Sequence, residues 1–140
     1  MIIQPRQAIP SFEALSVTGE LIKSEHYRQR WNLLLVFLSR PDEYAYLGEL
    51  ANRIEPLRAS KTRLIAFVLE PAHSLAGYPF PVIVDPTRRV YDRLGIDLTA
   101  VVLTDQFGEI HKIWWLPEPL CLPTSEDLLS WAEFIDMRCR

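Results

Sequence analysis

The residues able to do thiol or metal chemistry are few. The chain carries two cysteines, Cys121 and Cys139, and three histidines, His26, His73 and His111. A thiolate is the nucleophile of peroxidases and disulfide reductases, and it forms in an electropositive, partly exposed setting. Cys139 stands one residue from the C-terminus. It reads either as a mixed-disulfide thiol or as a surface thiol on a frayed end; the second is favoured, because reactivity needs an electropositive site rather than mere exposure. Cys121, between Leu120 and Leu122, reads as a small buried apolar residue. The cysteines and histidines share no metal-ligand spacing, so neither a metal nor a cofactor is expected. No Ser-His-Asp arrangement, glycine-rich phosphate loop or carboxylate pair stands out. His26 and His111 read as surface histidines, and Asp85 and Asp105 as a helix cap and a turn residue.

Those residues must be positioned by the elements around them. The chain has 140 residues, 49% hydrophobic and 24% charged, the size and balance of one globular domain spanning 1–140. A formal net charge of −3 with scattered basic residues argues against nucleic-acid binding, which needs a basic field. The longest apolar run, residues 33–38, falls far short of a membrane span of about 18 residues. The N-terminal residues lack the charged and apolar regions of an export leader, and two cysteines make no disulfide framework. The expected setting is therefore a reducing cytoplasm.

Residues 11–23 predict a hairpin turning at Thr18-Gly19. Residues 31–38 are an almost unbroken apolar run, as in a strand buried on both faces. Leu47, Leu50, Ala51 and Ile54 then lie on one helical face, with Asp42 as the cap and Pro56 ending that helix. Residues 63–69 and 81–84 predict two further strands. Asp85-Pro86 predicts a cap followed by proline at the first helical position, and Gly95 the helix end. Residues 101–104 and 109–116 flank the turn Asp105-Gln106-Phe107-Gly108. A last helix opens at Thr124-Ser125-Glu126-Asp127 and buries Leu128, Trp131, Ala132 and Ile135. This order describes an α/β sandwich with a mixed central sheet, flanking helices and an N-terminal β-hairpin.

With certain residues, that order resembles the redoxin family: the peroxiredoxins (alkyl hydroperoxide reductase C and thiol-specific antioxidant proteins) and their thioredoxin-like relatives. The pieces are Ile9-Pro10-x-Phe12, Gly19, Val36-Phe37, Glu49-Leu50, Phe80-Pro81-Val82-Ile83-Val84-Asp85-Pro86, Tyr91, Leu94-Gly95-Ile96 and Val102-Leu103-Thr104-Asp105-x-x-Gly108-Glu109-Ile110. The resemblance implies a thioredoxin-like fold and an antioxidant lineage. It also implies a reactive cysteine just after the first core strand, where a helix N-terminus favours a thiolate. Here the chain departs from the pattern. Counted from Pro41, the family's hydroxyl position falls on Ala45 and its cysteine position on Gly48. Asp42, Glu43, Tyr44, Ala45 and Tyr46 occupy the stretch where a Cys-x-x-Cys would stand. Six residues before Asp105, where peroxiredoxins share an arginine and thioredoxins a cis-proline, the chain has Thr99.

Pro41, Tyr44, Ala45, Tyr46, Gly48 and Thr99 thus outline a vacated active-site region, with His73 in a nearby loop and no nucleophile beside it. Tyr44 and Tyr46 read as packing residues with hydroxyls left in water, or as a platform for a small ligand. Trp114 and Trp115 project to opposite faces of a strand. Together with Leu116 they form either an interface patch or a surface covered by the C-terminal segment. The expectation is a redox-inactive domain that binds a protein partner or a second copy of itself. The alternative is a thiol peroxidase or disulfide oxidoreductase acting through Cys139 or Cys121.

Overall fold

Alternation of apolar residues along the strands explains how one sheet comes to separate two cores. The computed structural model describes residues 3–116 and 122–138. A short antiparallel hairpin comes first, β1 (Glu13–Leu15) with β2 (Leu21–Lys23), Ala14 facing Ile22. Its turn needs Gly19, whose φ of +88° disfavours any side chain. The central sheet follows: β3 (Asn32–Phe37), β4 (Thr62–Val68), β5 (Val82–Val84), β6 (Ala100–Thr104) and β7 (Ile110–Trp115). Its order is β5-β4-β3-β6-β7. The pairs β3–β4 and β4–β5 are parallel, while β3–β6 and β6–β7 are antiparallel. Strand β3, the unbroken apolar run, is central and buried at every residue, as a two-sided strand must be.

Leu33, Leu35, Phe37, Ile65, Phe67, Ile83 and Val102 face one core, closed by the hairpin and by α3 (Arg89–Leu94). Leu34, Val36, Leu64, Ala66, Val82, Val101 and Leu103 face the other. That second core is covered by α1 (Ala45–Ala51), α2 (Ile54–Ala59) and α4 (Ser125–Arg138). In the first core, Phe37 and Phe67 stack with centroids 4.4 Å apart, and Tyr91 meets Phe37 edge-on at 5.1 Å. Such aromatic pairs add about 0.5–1.5 kcal/mol each beyond their burial. The mixed sheet, flanking helices and N-terminal hairpin agree with the expected α/β class.

Several local expectations need correction. Asp42 does not cap the first helix; it is exposed and pairs with Arg40 at 3.3 Å. Helix α1 has no side-chain cap, and Glu43 instead closes the turn of residues 41–43 before it by accepting from the Arg40 N–H. Helix α1 ends at Ala51, before Pro56, and a second helix, α2, contains Pro56 in its first turn. There the missing N–H has no helical partner to lose. Asp85 does cap α3, but from four residues before its start. Its carboxylate accepts from the N–H groups of Arg89 at 3.0 Å and Val90 at 2.8 Å, so Pro86 lies in the preceding turn rather than at the first helical position. Gly95 ends α3 at φ +74°, as expected. At the start of α4, Asp127 N–H donates to Thr124 Oγ1 at 3.1 Å. Leu128, Ala132 and Ile135 are buried and Trp131 is half-buried.

Candidate functional site

The region outlined by Pro41, Tyr44 and Thr99 lies where β3 runs out of the sheet. Phe37 is paired with Ala100, which brings Leu38 and Ser39 alongside Thr99 just before β6. Thr99 is 2% exposed, and its hydroxyl lies 2.9 Å from both carboxylate oxygens of Glu43. The Ser39 hydroxyl is 2.8 Å from Thr99 Oγ1. Because the one proton of Thr99 goes to Glu43, Ser39 donates to Thr99. Glu43 Oε1 also accepts from the backbone N–H of Ser39 at 2.9 Å and of Arg40 at 3.1 Å. Two hydroxyls, two amides and one carboxylate thus satisfy one another.

The other predicted residues do not converge on this cluster. The Tyr44 hydroxyl donates to Glu70 O at 2.6 Å, tying the helix start to the segment after β4. The Tyr46 hydroxyl donates to Pro123 O at 2.5 Å, tying α1 to the segment before α4. The Tyr46 hydroxyl is buried rather than left in water, whereas that of Tyr44 makes its bond in an exposed setting. Burial raises the pKa of both phenols. Pro41 and Ala45 are exposed and Gly48 is half-buried; none brings a polar side-chain group. Tyr91, whose hydroxyl donates to Leu38 O at 2.5 Å, closes the end of β3 from the opposite core, and burial raises its pKa as well.

The sequence reading missed Glu43 and Ser39. A signal was available: Glu43 is three residues beyond Arg40 at a helical start, and an acid at that spacing reaches back to the cap residue's N–H.

Cys121 and Cys139 lie outside the described residues. Trp114 and Trp115 do face opposite sides, and both are half-buried. Trp114 meets Trp131 of α4 edge-on at 6.3 Å, whereas Trp115 packs on the other core. Leu116 N–H donates to Thr99 O at 3.0 Å, so the end of β7 is anchored to the Thr99 region.

His111 is not a simple surface histidine. Its Nε2 lies 2.9 Å from Asp105 Oδ2 and 3.6 Å from Glu109 Oε2. Asp105 serves its turn through Oδ1, which accepts from the N–H groups of Phe107 and Glu109. Among the described residues, Asp105, Glu109 and His111 are the set whose atoms could hold a metal, all within 4.8 Å of one another. They lie around the turn between β6 and β7, next to the register shift between Leu103 and Thr104.

No protein-family model matches the chain. It is 23% identical to a peroxiredoxin of Hyperthermus butylicus over 137 residues, an alignment covering 80% of this chain. The chain spans 58% of the length of that curated relative. Among solved structures it superposes on the mitochondrial 2-Cys peroxiredoxin from Plasmodium falciparum with a TM-score of 0.79, 12% identity and 94% coverage of both chains. This chain shares the fold of peroxiredoxins. Peroxidoxin BcpB from Mycobacterium tuberculosis gives a TM-score of 0.78 at 11% identity and 99% coverage of both chains. A putative thiol:disulfide interchange protein DsbE from Chlorobium tepidum gives 0.73 at 16% identity, covering 96% of this chain and 99% of its own. The fold is thus thioredoxin-like and is shared with peroxidases and thiol-exchange proteins alike. Residues 1–120 of this chain contain no cysteine.

Proposed function

We propose that this chain is a redox-inactive redoxin domain, spanning 1–140, that serves in a reducing cytoplasm as a protein-binding or accessory subunit. The observation that carries this reading is the Glu43–Thr99–Ser39 cluster at the end of β3. Thiol peroxidase chemistry needs an anionic sulfur stabilised by nearby donors. Here a carboxylate takes the backbone N–H groups of Ser39 and Arg40 and the hydroxyl of Thr99. A like charge at that corner opposes both a thiolate and an incoming anion. A surface suited to binding lies on α4, where Phe134 and Met137 are 47% and 72% exposed beside the half-buried Trp131. Aromatic residues and methionine are enriched at protein interfaces.

The test is intact-mass analysis after brief exposure to stoichiometric peroxide, for the wild type and for Cys121→Ser and Cys139→Ser. The expected result is no sulfenate or disulfide over minutes in any of the three folded proteins. Rapid oxidation abolished by one substitution would replace this reading with a relocated-thiol enzyme.

A further inference from the structure

Strand β5 is too short to cover β4. It pairs only with Ala66, Phe67 and Val68, which leaves residues 62–65 of β4 without a neighbour on that side. Pro79 and Pro81, leading into β5, have no N–H with which to extend the ladder. The result is a notch of about 340 Å³ in the edge of the sheet, near the lower end of the roughly 300–1,000 Å³ of small-ligand sites. Tyr27, Trp31, Ile54, Leu64 and Phe80 give it apolar walls.

Arg63 also lines this notch, and its situation is unusual. Its guanidinium carbon sits 4.0 Å from the centroid of the Trp31 ring. Arg63 Nε is closed to solvent and has no hydrogen-bond partner, and it is the buried side-chain atom in that state among the described residues. A half-buried arginine normally meets an acceptor, because an unmatched buried donor is costly. Stacking on Trp31 fixes the plane of the fork but supplies no acceptor.

The other charges in the notch limit what could fill that role. Arg58 is already paired with Glu55 at 3.1 Å. Glu20 lines the same wall and repels an anion in proportion to its charge, a multiply charged one most. Among the described residues, Arg63 is the arginine of this notch that no salt bridge engages, and His26 lines the notch as well.

We propose that this notch binds a small monocarboxylate with a flat apolar body, its carboxylate accepting from the Arg63 guanidinium and its body lying against Tyr27 and Phe80. The site is at the sheet edge formed by β4 and β5, separate from the Glu43–Thr99 cluster, and it uses no thiol.

Benzoate is the probe, with benzamide as the neutral isostere and inorganic phosphate as the multiply charged control. Binding is followed by NMR through the Trp31 indole N–H and the Arg63 Nε–H. Benzoate is expected to give saturable shifts at both signals, and benzamide and phosphate at neither. Arg63→Gln should weaken benzoate binding about tenfold or more, because it removes a charge-assisted contact. Arg58→Gln should change binding by less than about twofold, since that group is already paired. Arg63→Lys keeps the charge but not the planar fork, so it should fold normally and bind weakly. Any of three results overturns the proposal: no saturable shift in the wild type, equal binding of benzamide, or unchanged binding in Arg63→Gln. A loss in Arg58→Gln as large as that in Arg63→Gln would also overturn it, by showing a diffuse cationic field.

Discussion

Thr99 shows how a single side chain can tie a buried corner together. A side chain with one hydroxyl proton, 2% exposed, sits between a carboxylate and a second hydroxyl. Replacing it with valine keeps the shape and strips the donor from Glu43 and the acceptor from Ser39. Thr99→Val is therefore expected to cost about 1–3 kcal/mol, read as a lower urea midpoint with an unchanged slope. The phenols make a second residue-scale case. Burial raises the pKa of Tyr46 and Tyr91 above the ordinary value of 10.0. In the native protein these groups hold protons that the unfolded chain would release above that pH. Their contribution to stability is fully present below about pH 10 and is lost as pH rises further. An alkaline phenolate titration should show a late phase coincident with unfolding, and Tyr46→Phe with Tyr91→Phe should remove it. A late phase that survives the double substitution would refute the assignment.

At the scale of elements, two glycines make opposite predictions. Gly95 ends α3 at φ +74°, where a side chain is strained. Gly95→Ala should lower stability by about 1 kcal/mol or slightly more. Gly48 lies within α1 with nothing within 4 Å of the position a Cβ would take. Gly48→Ala should raise stability by about 0.5–1 kcal/mol through lower unfolded-state entropy. Thermal unfolding of the two variants side by side checks the signs. Element boundaries also show where linear reading was weakest. Asp85 reaches over a turn to cap α3 and Glu43 reaches back to cap the turn before α1. In both cases the capping residue is chosen by where the chain folds rather than by adjacency.

For the whole molecule, the sheet divides the apolar residues into two cores, and the stacked Phe37 and Phe67 sit inside one of them at 4.4 Å. Phe67→Ala removes one member of that stack and its edge contact with Phe12 at 5.4 Å. It should cost about 3–5 kcal/mol, a large part of the stability of a domain this size. The measurement is equilibrium denaturation; a loss below 1 kcal/mol would mean the core can collapse around the gap. No helix among the described residues is long and apolar enough to cross a membrane.

The order of elements was legible in the sequence because local patterns set it. The apolar run at residues 31–38 reads as a buried strand, and Asp105 to Gly108 as a turn. The absence of a thiol from residues 1–120 was equally plain. What lies across the sheet was not legible, since a hydrogen bond between Thr99 and Glu43 joins residues far apart in the chain. The same holds for Arg63 on Trp31, and even Asp105 with His111, six residues apart, meet only once the β6–β7 turn has formed. Periodicity decides which face of an element is buried; only tertiary structure decides which side chains from different elements meet there, because that depends on strand register and on where each strand ends.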